Sequence, residues 1–241
     1  MIKYTFTKPL KRGVIQSRPN RFVMFVEANR ETWRCRCPSP TKIGNLAFKS
    51  IPCLLSANTD KRKTAYTVEA IAVKNIFGKR CWVGINQTKI NAICKYFIDQ
   101  GQLPRLIKDV KLERGGRVGN SIIDFVAEDL LLEIKTPLTV LPNLKTELVN
   151  YAHTGEYERT IRHCQVLTKH AEAGKRAILL LAYLYPTPLF NPYKQNPTNK
   201  KFLKTVQQAA RKGVEFWQVN FTINSTGITL LKYAKLRLHK N

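Results

Sequence analysis

The sequence predicts an α+β chain: a small β-barrel, then a mixed sheet flanked by helices. Three observations carry this. Short strand-like stretches recur between turn residues from Val23 to Val83, apolar residues switch to helical spacing from Asn86, and strands and helices then interleave up to a closing hairpin. The change of period divides the chain into residues 1–83 and 84–241.

In the first part the expected strands are Arg21–Ala28, Thr32–Cys37, Ser50–Ala57, Thr64–Val73 and Cys81–Ile85, punctuated by Pro38, Pro40, Gly44, Asn58, Asp60 and Gly78. Five short strands fit a barrel, and for a basic one the oligonucleotide-binding (OB) type is the natural candidate; a sandwich fits the pattern too. From Asn86 to Gly101, Ile90, Ile93, Cys94, Phe97 and Ile98 mark one helix face, and Gly101 sits where the helix would stop. Strands are expected at Lys108–Arg114, Ser121–Val126 and Leu130–Thr136, and a helix from Glu156 to Ala173, closed by Gly174. The apolar run Arg176–Tyr185 reads as a buried strand reached by a parallel crossover. Residues 186–199, with four prolines, read as a loop or binding flap. A helix over Lys200–Lys212 ends at Gly213, and strands Val214–Ile223 and Gly227–Leu236 close the chain around the turn Asn224-Ser225-Thr226-Gly227.

Composition narrows the partner. The chain carries 41 Lys+Arg against 16 Asp+Glu in 241 residues, a net charge of +25, which points to nucleic acid or an anionic membrane surface. The longest apolar run, Ala177 to Tyr185, has nine residues and is too short to span a bilayer, so nucleic acid is favoured. Residues 1–83 have a net charge of +13, residues 84–184 of +3 and residues 185–241 of +9. Eleven of the 16 acids therefore fall in the middle section, where a cation site would have to be. Arg21, Arg34, Arg36, Lys61, Arg62 and Lys63 are the phosphate-contact candidates of the first part, and Trp33, Phe48, Tyr66 and Trp82 could stack bases of DNA or RNA. Met1–Phe6 lacks an apolar signal core, and the six scattered cysteines read as reduced thiols in a cytoplasm. Cys35 and Cys37 lack a second pair at zinc spacing and read as structural. Oligomeric state has no signature.

Chemistry concentrates at Asp124, nine residues before Glu133-Ile134-Lys135. Two close carboxylates repel unless a proton or cation lies between them, and Mg²⁺ or Mn²⁺ prefers oxygen ligands; Asp124 and Glu133 are thus the metal-ligand candidates. Such a cation would polarise a phosphoryl oxygen and acidify water, while Lys135 would position that water or offset charge building on the phosphate. Strand alternation puts Glu133 and Lys135 on one face, and Asp124 joins them only if the intervening loop is even-numbered or bulged. Glu113 could supply a further ligand. Arg159 and His163, at i and i+4 on the expected helix, could contact phosphate or orient water. Leu-Glu-Ile-Lys also describes an ordinary half-exposed strand with a cross-strand ion pair.

Taken together, Arg21-Phe22, Cys37-Pro38, Arg62-Lys63, Tyr66–Glu69, Trp82–Asn86, Asn91, Ile123–Phe125, Glu133–Thr136, Arg159 with His163, and Gly213–Glu215 resemble the sugar fermentation stimulation protein A family over nearly the whole chain. The resemblance implies an N-terminal OB barrel joined to a PD-(D/E)XK nuclease-like, that is restriction-endonuclease-like, domain. It implies DNA binding and a suspected regulatory role in sugar metabolism. It places Asp124, Glu133 and Lys135 in metal and catalytic positions, with Glu113, Arg159 and His163 as accessories. The chain departs from the family pattern at Arg36–Thr41, where a His and an Asn are missing, at Ala152–Gly155 and at Ile122, where the family has arginine. The functional expectation is a DNA-binding protein with an Mg²⁺- or Mn²⁺-dependent phosphodiesterase site; the alternatives are a non-enzymatic DNA-binding regulator or an RNA-binding factor.

Overall fold

The computed structural model describes residues 2–39, 43–44, 46–58, 63–74, 77–138, 141, 155–191 and 199–238, with 155–157 described by backbone alone. Thirteen strands among these form two sheets. The first sheet comprises β2 (Lys11–Asn20), β3 (Val23–Ala28), β4 (Glu31–Arg36), β5 (Ile51–Ala57), β6 (Tyr66–Lys74) and β7 (Arg80–Gly84), in the order β4-β3-β2-β5-β6-β7. A parallel pairing of β4 with β6, Cys35 opposite Tyr66, closes strands β2–β6 into a five-stranded barrel. An OB barrel is therefore present, but its strands are not the five expected. β7 only extends β6, and the barrel's first strand is β2, where Gly13, Val14 and Ile15 make too short an apolar signal to mark ten residues. A Cβ on Gly13 would lie 2.6 Å from a Val26 methyl, so glycine is what lets β2 approach β3.

The second sheet has the order β1-β13-β12-β11-β10-β9-β8, from β1 (Lys3–Thr5), β8 (Glu113–Val118), β9 (Ser121–Ala127), β10 (Leu130–Lys135), β11 (Arg176–Tyr183), β12 (Glu215–Ile223) and β13 (Gly227–Lys235). β10, β11 and β12 are mutually parallel and the remaining pairs antiparallel, which makes the sheet mixed. The parallel pairs are joined through α2 (Gly155–Glu172) and α3 (Lys200–Arg211), while α1 (Ile90–Asp99) precedes β8. Ile93, Cys94 and Phe97 of α1 pack with Leu132, Ile178 and Leu180 on one face of the sheet; Ile161, Cys164 and Leu167 of α2 pack with Leu131, Leu179 and Leu181 on the other. β1 lies in this sheet and not with the barrel, so residues 3–5 cross the division drawn from the sequence.

One strand is displaced from its expected position. Of the expected strand Lys108–Arg114 only Glu113 and Arg114 are extended, as the start of β8; residues 108–112 form no strand. Leu106, Ile107 and Leu112 are buried as core filling from an irregular segment, and Asp109 at φ +55 interrupts any extended run there. The four-proline segment is described only to Asn191 and from Asn199, so a flap over residues 192–198 lies outside the described residues, as do residues 152–154.

Glu215 ties the starts of β11 and β12 together, accepting from Arg176 Nε at 2.7 Å and Trp217 Nε1 at 2.8 Å. Burial would raise its pKa, but these bonds and the charges of Arg176 and Lys235 hold it down at about 2. A depressed carboxyl stabilises the fold above its unfolded pKa and loses that contribution as pH falls towards the folded one. Glu215→Gln is expected to cost about 1 kcal/mol at pH 7, solvent screening included, and the gap from the parent to narrow below pH about 4.5 in urea unfolding.

Candidate active site

Ala127 pairs with Leu130, Val126 with Leu131 and Phe125 with Leu132, so the β9–β10 turn is the two residues Glu128-Asp129. That even-numbered turn puts Asp124 next to Glu133. The ladder stops at Phe125 and Leu132, and the two carboxylates take over from it. Asp124 N–H donates to Glu133 Oε2 at 3.3 Å, and Ile134 N–H donates to Asp124 Oδ2 at 2.8 Å. Each acid thereby satisfies a backbone donor where the strands part.

Glu133 is buried and accepts at Oε1 from Lys135 Nζ at 2.5 Å and from His163 Nδ1. Lys135 Nζ also lies 3.1 Å from His163 Nδ1. An ammonium only donates, so the consistent arrangement has a proton on Nδ1 and both donors aimed at the one carboxylate oxygen. Burial would raise the Glu133 pKa, yet the His163 bond and the charge and bond of Lys135 bring it below the usual glutamate range. Asp124 goes the other way: burial and the Glu133 charge raise it, against the Ile134 N–H, the Asn91 amide and Lys135.

Asp124, Glu133, Lys135 and His163 are thus brought together. Arg159, one turn before His163, is exposed. Glu113 is not brought in: it is exposed opposite Val126, and the rung of Asp124 is bracketed by Arg114↔Phe125 and Gly116↔Ile123, which leaves Gly115 beside the acid. Among the described residues no three His, Cys, Asp or Glu side chains form a ready-made metal cluster.

Asn91, which the sequence marks only through the family resemblance, also belongs to the site. Its Nδ2 donates to Asp124 Oδ1 at 2.8 Å from the first turn of α1. Cys94 and Cys164 flank the cluster from the two helix layers; burial raises both thiols, Cys164 to about 12, so they are inert.

In the barrel, Arg21, Arg34 and Lys63 are exposed and Arg36 is half-buried, while Lys61 and Arg62 lie outside the described residues. Trp33, Tyr66, Phe48 and Trp82 pack partly buried against the cores, Trp33 edge-on to Tyr66 at 5.3 Å. The more exposed aromatic rings are Phe22, with Arg21 4.8 Å from its centroid, Phe25 and Phe77. Alternation around Phe25 would have marked it as outward-facing. All six cysteines are free, and among the described residues no helix is long and apolar enough to cross a membrane.

A closed OB barrel ahead of a mixed sheet that carries paired acids at a strand divergence defines a protein of the OB-plus-restriction-endonuclease-like class. The SfsA N-terminal OB domain profile matches residues 17–85, and the sugar fermentation stimulation protein RE domain profile matches residues 88–227. The chain belongs to the SfsA family. A sugar fermentation stimulation protein homolog of Synechococcus sp. (strain JA-2-3B'a(2-13)) is 27% identical over 98% of this chain and 96% of its own. One from Crocosphaera subtropica is 29% identical over 97% of each. The structure of Pyrococcus furiosus SfsA in complex with Ca²⁺ superposes with a TM-score of 0.71 at 21% identity, covering 95% of this chain and 96% of that one, a likeness of fold. The family and its OB domain point to nucleic acid as the partner class.

Removing one member of a buried charge pair leaves the other uncompensated. Glu133→Ala is expected to lower unfolding free energy by about 3 kcal/mol. Combining it with Lys135→Met should recover part of that loss, measured as the coupling in a double-mutant cycle by chemical denaturation.

Proposed function

We propose that this chain is a cytoplasmic protein that binds DNA in preference to RNA, through a barrel in residues 1–83, and hydrolyses phosphodiesters with Mg²⁺ or Mn²⁺ in residues 84–241. The observation that carries the reading is the exchange between Asp124 and Glu133, each carboxylate bonded to a backbone N–H of the other's strand, with Lys135 against them. The donor set fits a hard cation. Each carboxylate oxygen has two lone pairs, so Asp124 and Glu133 keep acceptor capacity beyond the bonds they make. That the Pyrococcus furiosus SfsA structure is a complex with Ca²⁺ supports divalent-cation binding. A divalent cation held by Asp124 and Glu133 would supply Lewis acidity toward a phosphoryl oxygen.

The chain's own groups do the rest. Lys135 places an ammonium where negative charge builds on the phosphate, and the low exposure of the cluster strengthens that interaction. His163 holds the Glu133 carboxylate in orientation. Arg159, exposed one turn away, is free to meet a neighbouring phosphate. The reduced cysteines suit a cytoplasm.

A second reading rests on the same residues. Glu133 Oε1 is already occupied by Lys135 and His163, as it would be in a site that has settled into an internal salt bridge. The chain would then be a non-enzymatic DNA-binding regulator that keeps a nuclease fold.

Cleavage of labelled DNA by purified protein separates them. The nuclease reading expects strand scission with Mn²⁺ or Mg²⁺, none in EDTA, and loss of at least about 100-fold in rate on Asp124→Ala or Lys135→Ala with DNA affinity retained. Calorimetry should show Mn²⁺ binding weakened by Asp124→Ala. Salt-dependent DNA binding without metal-stimulated cleavage would establish the second reading, and cleavage indifferent to both substitutions would exclude this cluster as the site.

A further inference from the structure

Resting on nucleic acid as the partner, we propose that the β8–β9 hairpin grips the DNA strand beside the acid pair, with Arg114 and Arg117 on phosphates and Ile122 against a base. Among the described residues β8 is the outer strand of the second sheet, with β9 as its one neighbour. Its turn is Gly119-Asn120, between Val118 and Ser121. Arg114 and Arg117 are exposed and make no ion pair or hydrogen bond among the described residues. Two exposed guanidiniums without a partner among the described residues, on one short strand, are suited to a polyanion.

The glycines between them shape the approach. Gly115 has φ +75, and a Cβ built on it would meet nothing within 4 Å, so the backbone beside Asp124 is bare and open. A Cβ on Gly116 would lie 2.1 Å from a Val126 methyl, so this glycine is needed for β8 to lie against β9. The sequence Arg-Gly-Gly-Arg therefore sets one guanidinium on each side of an unobstructed stretch that borders the carboxylates.

Ile122 supplies the third contact. It is directly opposite Arg117, two residues from Asp124, and 66% exposed, more than any other large aliphatic side chain among the described residues. Its neighbours Ile123 and Phe125 are fully buried, so the strand had an inward face available for apolar residues and still displays this one. An apolar side chain next to a phosphate-binding guanidinium is suited to lie on or between bases while the arginine takes the backbone. The two residue types then predict different signatures: guanidinium contacts release counterions and set the salt dependence, and an apolar contact adds affinity without it.

The test is fluorescence anisotropy with fluorescein-labelled single-stranded and duplex oligodeoxynucleotides across a salt series in EDTA, so that no cleavage or metal binding enters. Arg114→Gln combined with Arg117→Gln is expected to weaken binding about ten-fold or more and to reduce the slope of log Kd against log salt by about 0.9 per contact on duplex. Ile122→Ala should weaken binding about three-fold or more with the slope unchanged. The pair Lys232→Gln and Arg237→Gln removes the same charge; Lys232 lies on β13, which four strands separate from β8, Arg237 lies just beyond it, and both are exposed. It is expected to leave the slope near the parent's. The proposal is overturned if the hairpin pair behaves like this control, or if Ile122→Ala binds as the parent does. Failure of the phosphodiesterase reading would leave these EDTA measurements untouched, whereas a parent that binds neither oligodeoxynucleotide would remove the DNA-binding reading, and this proposal with it.

Discussion

Glu133 is 1% exposed on β10, the strand at which the sheet changes from antiparallel to parallel pairing, so its charge has to be answered by groups from other elements. The crossover from β10 to β11 provides one: α2 packs over this face and brings His163 down onto the carboxylate. Lys135, two residues along the same strand and so on the same face, provides another. Moving His163 by one residue on α2 would swing it about 100° around the helix and away from Glu133. The parallel topology and the charge balance therefore depend on each other, and the position of the crossover helix is tied to the ionised state of one side chain.

A second buried glutamate performs the corresponding task at the junction with the barrel. Glu69, on β6, is 2% exposed and accepts from Ser56 Oγ at 2.5 Å, Asn86 Nδ2 at 2.8 Å and Lys89 Nζ at 2.6 Å. Asn86 also accepts from Thr88 N–H at the start of the turn that leads into α1. Two residues past Lys89 comes Asn91, whose amide holds Asp124. Barrel and acid cluster are thus linked by a short run of hydrogen bonds through the first turn of one helix, reinforced where Gly84 N–H donates to Leu184 O at 3.1 Å.

How much of this the sequence carried varies with the physics of each piece. The acid cluster was legible because period two places Glu133 with Lys135, and turn parity alone decides where Asp124 goes; the actual turn, Glu128-Asp129, is the even-numbered one. Helices α1, α2 and α3 were legible from apolar spacing and terminal glycines, with Gly101, Gly174 and Gly213 all at positive φ. β2 was not, since a barrel strand that bends through two register shifts buries few apolar residues, here Gly13 and Ile15. β8 was misplaced because its apolar neighbours serve as loop-borne core, while the strand itself, Glu-Arg-Gly-Gly-Arg-Val, has an unfavourable composition. The role of Asn91 needs a contact 33 residues distant in sequence, which no local pattern records.

The two carboxyls of the cluster are displaced in opposite directions. Glu133, held below its usual pKa, favours the folded state above that range and loses the contribution as pH falls. Asp124, pushed above its own, does the reverse: its contribution is present when it is protonated and is lost as pH rises. At Asp124, burial and the Glu133 charge outweigh Lys135, the Ile134 N–H and the Asn91 amide, although the chain as a whole carries +25. That excess resides on the surface, where water screens it from a half-buried aspartate. A proton on Asp124 answers the repulsion between the two carboxyls, and a small, hard cation held between their oxygens, as the proposed metal site requires, would answer it too.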